Sequence, residues 1–183
     1  TPEMVAALGL PKGTSTMTPA ELIHAILLAP VDLLWNGGIG TYVKAATEDH
    51  LSVGDRANDA IRVDGRQVRA KVIGEGGNLG MTQLGRIEAA LNGVRVNTDA
   101  IDNSAGVDTS DHEVNIKILL ADAIRSGALK EDKRDKLLES MTGEVSALVL
   151  MNNYNQTGAI SIAQASAVID LDSQERFIQR LES

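Results

Sequence analysis

Two glycine-rich turns and one polar stretch hold most of the residues that could handle a ligand. The turns are Trp35-Asn36-Gly37-Gly38-Ile39-Gly40 and Gly74-Glu75-Gly76-Gly77-Asn78-Leu79-Gly80. Glycine has no Cβ, so a ligand can lie directly against the backbone there. Ligands of open α/β sheets bind at the carboxyl ends of strands. Neither turn satisfies the dinucleotide pattern G-x-G-x-x-G: Gly74 and Gly76 begin it, but its third glycine falls on Leu79. The pyrophosphate-binding turn is therefore absent from this chain. Tight strand-to-loop turns alone would also account for these glycines.

The polar stretch runs from Asn97 to Glu113, with Ile101 and Val107 as its only large apolar residues, and reads as a binding loop. Asp108, Asp111, His112 and Glu113 bring a divalent metal to mind. Neighbouring residues on a helix diverge, however, and no spaced histidine pair supports them, so no metal is expected. Ser110-Asp111-His112-Glu113 has the form of a capping box. A helix starting there would offer free N–H groups to a carboxylate, with the Ser110 hydroxyl as a further donor. That makes Ser110 a candidate anchor for an anionic substrate. No catalytic residue emerges from spacing, although Lys44 and Lys71 lie close to the two turns. His24 and His50 read as surface residues, and Asp55 to Asp59 as a solvated charged turn.

The elements that must position these residues alternate in type. Thr18-Pro19-Ala20-Glu21 is a helix start, followed by Leu22, Ile23, Ile26 and Leu27 at helical spacing and stopped by Pro30. Met4 to Leu10 predicts a short helix before it. Val31 to Trp35 and Ala70 to Ile73 read as buried strands, and Val94 to Asn97 as a weaker third. Gln83 to Leu91 predicts a helix whose apolar side is Leu84, Ile87 and Leu91. After Asp111 comes a mostly apolar helix face ended by Gly127, then an amphipathic helix over Lys130 to Met151. A separate last helix is expected over about Ser173 to Leu181. Strand, glycine turn and helix in alternation argue for an α/β fold with a parallel sheet and a C-terminal helical region.

Composition narrows the function. The 183 residues are 43% hydrophobic, which is enough for a core and argues against disorder. Acidic residues number 25 against 17 basic, a net charge of −8, and the aromatics are Trp35, Tyr42, Tyr154 and Phe177 alone. Such a chain lacks the positive charge and stacking platforms of a nucleic-acid binder. No apolar run is long enough for a membrane span, and the first residues do not have the pattern of a secretory signal. The absence of cysteine fits a reducing compartment.

Four segments together resemble the large bacterial NAD-specific glutamate dehydrogenases. They are Asp32 to Tyr42, Gly54-Asp55-Arg56-Ala57-Asn58-Asp59, Val72 to Gly80, and Asn97 to Asp108; the resemblance runs from about Pro19 to Leu150 in one unbroken order. It implies oxidative deamination of L-glutamate to 2-oxoglutarate and ammonia, with hydride passed to NAD. It also implies a carboxy-terminal piece of a much longer catalytic region, whose lysine, aspartate and pyrophosphate fingerprint lie upstream. Residues 1–112 would form the second half of a Rossmann-like NAD-binding domain with N-terminal helices, and residues 113–183 a helical region. Glu75-Gly76-Gly77-Asn78 looks like the family's Glu-Gly-Ala-Asn strand end, placing Asn78 on the nicotinamide. With it, Asn36, Gly37, Gly38, Glu75, Gly76 and Gly77 are the expected cofactor residues. Gly106-Val107-Asp108-Thr109-Ser110 is similar to the family's Gly-Val-x-x-Ser signature, placing Ser110 on a glutamate carboxylate with Asn103 and Val107 nearby. Where smaller enzymes of the group continue with aromatics, this sequence has Asp111-His112. A cytoplasmic homo-oligomer is expected of the full-length protein, and no turnover of this chain alone. The rival readings are a regulatory or assembly module of the same fold, and a dehydrogenase for another amino acid.

Overall fold

Local signals set the first helices of the computed structural model, which describes residues 1–183. Helix α1 (Pro2–Ala7) starts two residues before the apolar pattern does, because Thr1 caps it and Pro2 occupies its first turn. Helix α2 (Pro19–Leu27) has the full capping box: Thr18 Oγ1 accepts from the Glu21 N–H, and Glu21 Oε2 accepts from the Thr18 N–H at 2.7 Å.

The chain divides into two units, Thr1–Ser104 and Ala105–Ser183. The first is mixed. Strands β1 (Leu33–Asn36) and β4 (Val72–Glu75) pair in parallel, with Asn36 level with Glu75. Strands β2 (Val43–Lys44) and β3 (Val63–Asp64) form a second parallel pair that the sequence did not announce. Two residues make too short a run for periodicity to register. The Val94 to Asn97 segment is reduced to a single parallel bridge: Arg95 accepts from the Ile73 N–H and donates to the Lys71 carbonyl. Helix α3 (His50–Val53) is short and ends at Gly54 with φ 76°.

The core of this unit is Val43, Val63, Val68, Ala70, Ile73, Met81, Ala89 and Val94, with Leu34 packed against it from β1. Strand β1 is not buried as expected. Leu33 and Trp35 point to its other face and are exposed, because β1 is an edge strand covered on one side.

Helix α4 (Gln83–Leu91) has the expected bounds but the opposite orientation. Leu84, Ile87 and Leu91 are exposed, and Gly85, Arg86 and Ala89 face inward. Close approach decides this. A Cβ on Gly85 would stand 2.9 Å from the Lys44 backbone, and one on Gly65 2.5 Å from the Gly85 carbonyl. Glycine at positions 85 and 65 lets the helix sit that near the β2 strand.

Helix α5 (Asp99–Asp102) follows, so the expected binding loop is largely helical. In the second unit α6 (Ser104–Arg125) and α7 (Arg134–Glu182) are the main elements. Helix α7 is one continuous rod of 49 residues, about 73 Å long, where two separate helices were expected. From Arg134 to Gln156 its buried or half-buried positions are Arg134, Leu138, Met141, Val145, Val149, Asn153 and Gln156, three or four apart. The polar members Asn153 and Gln156 hide this continuity from an apolar pattern. No helix is long and apolar enough to cross a membrane.

Candidate functional site

The two glycine turns lie side by side, stitched through their backbones. Gly76 N–H donates to the Asn36 carbonyl at 2.7 Å, and Tyr42 N–H to the Gly80 carbonyl at 2.8 Å. The Thr41 hydroxyl donates to the Leu79 carbonyl at 2.7 Å. A Cβ on Gly77 would meet the Gly38 carbonyl at 2.8 Å, so glycine is required where the bends touch. Parallel pairing of β1 with β4 brings both bends to the carboxyl end of one sheet.

The glycines at 74 and 76 serve a further purpose. The Trp35 indole lies over them: a Cβ at Gly76 would be 2.5 Å from the ring and one at Gly74 2.8 Å. Trp35 itself is 60% exposed, so its ring presents an aromatic surface at the bends. The group that approaches the backbone of residues 74 and 76 is this ring. Gly37, Gly38 and Asn78 are exposed beside it. Asn78 Oδ1 accepts from Asn103 Nδ2 at 3.0 Å, which leaves the Asn78 amide nitrogen as a donor. An apolar cleft of about 300 Å³ opens between α2 and the sheet, reaching Asn36 and Gly80 and lined by Ile26, Leu34, Trp35 and Met81. A larger recess of about 530 Å³, lined by Leu10, Glu21, His24 and Arg69, contains none of the candidate site residues.

Charged side chains hold the second bend from beneath. Glu75 is only 1% exposed. Its carboxylate accepts from Arg86 Nε at 2.9 Å and from the Gly80 N–H at 3.0 Å. Asp99 Oδ2 accepts the Leu79 N–H at 2.7 Å, and Asp102 Oδ2 the Glu75 N–H at 3.0 Å. Burial pushes the Glu75 carboxyl above the ordinary glutamate value, while the Arg86 guanidinium pulls the other way. Leu79 has φ 60°, a left-handed backbone. It stands where the dinucleotide pattern would have its third glycine, and it adopts the conformation that glycine favours.

The Asp55 to Asp59 segment is more than a solvated turn. Asp55 Oδ2 accepts from the Thr41 N–H at 2.8 Å and from Asn58 Nδ2 at 2.7 Å. Those two bonds hold its carboxyl below the ordinary aspartate value. Asp59 accepts from Arg62, whose guanidinium is fully buried and also donates to the Thr41 carbonyl and the His50 ring. The first bend is thereby anchored at Thr41. Lys44 is buried on Asp64, and exposed Lys71 pairs with Asp32, so both lysines near the turns are engaged. His24 is half-buried, its Nδ1 3.2 Å from the Ile61 carbonyl.

Of the expected substrate residues, Asn103 joins the bends through Asn78. Val107 and Ser110 lie on α6, exposed and three residues apart, on one face of that helix. Ser110 is not at a helix N-terminus, since α6 begins six residues earlier at Ser104. The capping box read at Ser110 therefore does not form, and its backbone N–H belongs to the helix interior. Ser110 keeps only its hydroxyl as a donor. Asp108 Oδ1 and His112 Nε2 lie 3.5 Å apart across one turn of α6, and Asn152 Nδ2 of α7 donates to Asp108 at 2.8 Å.

Sequence reasoning missed Trp35 as a surface, and Arg86, Asp99 and Asp102 as supports. Arg86 carried a signal: it shares a helix face with Gly85 and Ala89, where a long cation needs a buried partner. Residues 1–163 match the family described as bacterial NAD-glutamate dehydrogenase, catalytic domain. The chain is 57% identical over all 183 residues to an NAD-specific glutamate dehydrogenase of Pseudomonas aeruginosa and 53% identical to one of Halomonas elongata, covering 11% of each relative. It is 61% identical over 155 residues, 85% of this chain, to one of Mycobacterium tuberculosis, covering 10% of it. The chain thus spans about a tenth of the length of these relatives. It belongs to the catalytic-domain family of the bacterial NAD-glutamate dehydrogenases.

Proposed function

We propose that this chain supplies the nicotinamide side of an NAD-dependent glutamate dehydrogenase, which oxidatively deaminates L-glutamate to 2-oxoglutarate and ammonia. The observation that carries the reading is the pairing of the Asn36 and Asn78 bends at the carboxyl end of parallel strands, where α/β sheets bind nucleotides. The relatives' names, NAD-specific glutamate dehydrogenase, supply the chemistry.

The residues present suit the cofactor. Gly37 and Gly38 offer bare backbone, Gly76 and Gly77 close the floor of the bend, Trp35 offers a ring face, and the Asn78 amide offers a donor. Glu75 contributes by holding the bend, because its carboxylate is committed to Arg86 and Gly80. NAD, when bound, accepts hydride from the substrate Cα. Hydride transfer needs ring and substrate fixed at near-contact distance, which rigid bends favour. Asn103, Val107 and the Ser110 hydroxyl face the substrate in this reading.

In this reading β4, flanked by β1 and the Arg95 bridge, belongs to the second half of a Rossmann-like domain, and the helical region follows from α6, which begins at Ser104 and not at residue 113. Neither the pyrophosphate fingerprint nor the catalytic lysine and aspartate is in this sequence. The upstream domains of the same protein, a cytoplasmic homo-oligomer, supply them. In the full-length enzyme, Ser110→Ala raises the glutamate KM while leaving NAD affinity nearly unchanged. Asn78→Ala does the reverse. Unchanged KM values for both substrates in both variants would refute the assignment.

A further inference from the structure

The Glu75 to Gly80 bend owes its shape to three carboxylates. Glu75, Asp99 and Asp102 accept the N–H groups of Gly80, Leu79 and Glu75 respectively. Grouping three negative charges under one turn is unfavourable unless a cation sits among them. Arg86 is that cation. Its side chain is 7% exposed, it grips Glu75 through Nε at 2.9 Å and a second guanidinium nitrogen at 2.8 Å, and the same nitrogen lies 3.4 Å from Asp99. The bend also contains a strained residue, Leu79 at φ 60°, and such conformations persist only where the surroundings over-determine them. Asn78 is the residue immediately before it, and its partner Asn103 directly follows the helix that carries Asp99 and Asp102.

We infer that Arg86 is a positioning residue for the nicotinamide end of the cofactor: by neutralising Glu75 and Asp99 it holds Asn78 in the conformation that binds NAD, without touching NAD itself. The inference rests on the cofactor reading above. It assigns affinity for one half of the cofactor to a buried arginine on a neighbouring helix. A planar, bidentate grip is specific to arginine, so lysine replaces it only in part.

The test uses the full-length enzyme and two probes titrated by calorimetry: NAD, and ADP-ribose, which lacks the nicotinamide ring. A dissociation constant reports only the folded fraction, so partial loss of folded protein does not obscure it. Arg86→Met should raise the Kd for NAD by about 10-fold to 100-fold, the scale of loss when the group that orients a ligand-holding residue is removed. ADP-ribose should bind as before, and Arg86→Lys should fall between wild type and Arg86→Met for NAD. Equal NAD affinity in wild type and both variants overturns the inference. So does an equal loss for NAD and ADP-ribose, which would make Arg86 a support of the whole domain. Wild-type enzyme that binds ADP-ribose no more weakly than NAD overturns the nicotinamide-site reading itself, and the inference with it.

Discussion

Leu79 holds a left-handed backbone that glycine adopts freely and β-branched residues almost never. Its side chain is largely exposed, so the backbone sets the cost of replacing it. Leu79→Gly is expected to leave stability unchanged or raise it by up to about 1 kcal/mol, whereas Leu79→Val should cost about 1–2 kcal/mol. Urea unfolding of the two variants checks the ranking, and equal stabilities would mean that the bend relaxes to another conformation. The two perturbed carboxyls differ in sign. Glu75 is raised by burial, so its contribution to stability is complete below the ordinary glutamate range, about pH 4.3, and is lost as pH rises through its folded value. Asp55 is lowered by the Thr41 N–H, so its contribution is complete above the ordinary aspartate range, about pH 3.9, and is lost as pH falls through its folded value. Carboxyl carbon-13 titration should find Glu75 above the exposed glutamates and Asp55 below the exposed aspartates. A Glu75 midpoint at or below those of the exposed glutamates would mean that Arg86 outweighs burial.

At the scale of elements, contact distance overrides hydrophobic pattern. Helix α4 turns Gly85 toward β2 and leaves Leu84, Ile87 and Leu91 outside. Gly85→Ala would put a methyl 2.9 Å from the Lys44 backbone, an overpacking expected to cost about 1–3 kcal/mol. A melting temperature equal to wild type would show that α4 moves away freely. The bends are legible in the sequence because a run of glycine and asparagine directly after a short apolar segment marks where a strand breaks into a turn. The helix bounds are legible where Thr18 and Pro19 mark a start. The inward face of α4 is not, because glycine packing leaves no apolar period to read. The Arg86 network is not, because charge pairing between residues 11 and 13 apart follows no local rule. The polar run Asn152 to Gly158 interrupts the apolar pattern of α7, yet the structure carries it through as helix. Beyond Gln156 the side chains of Ile162, Val168, Ile169 and Leu171 are exposed. Amides after residue 160 should therefore exchange faster than those between 138 and 153, since bare helix is marginal in water. Uniform protection along α7 would contradict this.

For the whole molecule, the proposed role makes one acidic, cysteine-free chain the cofactor-side portion of a far larger enzyme. Its two bends are locked together by Thr41, Tyr42 and Gly76, and supported from below by the buried pair of Glu75 and Arg86. The central claim is that these bends receive NAD. Hydrogen exchange of the full-length enzyme, with and without saturating NAD, tests it most directly. Amides of residues 36–42 and 74–80 should gain protection when NAD is added. Protection gained elsewhere in the enzyme, with both bends exchanging as they do without cofactor, would contradict it.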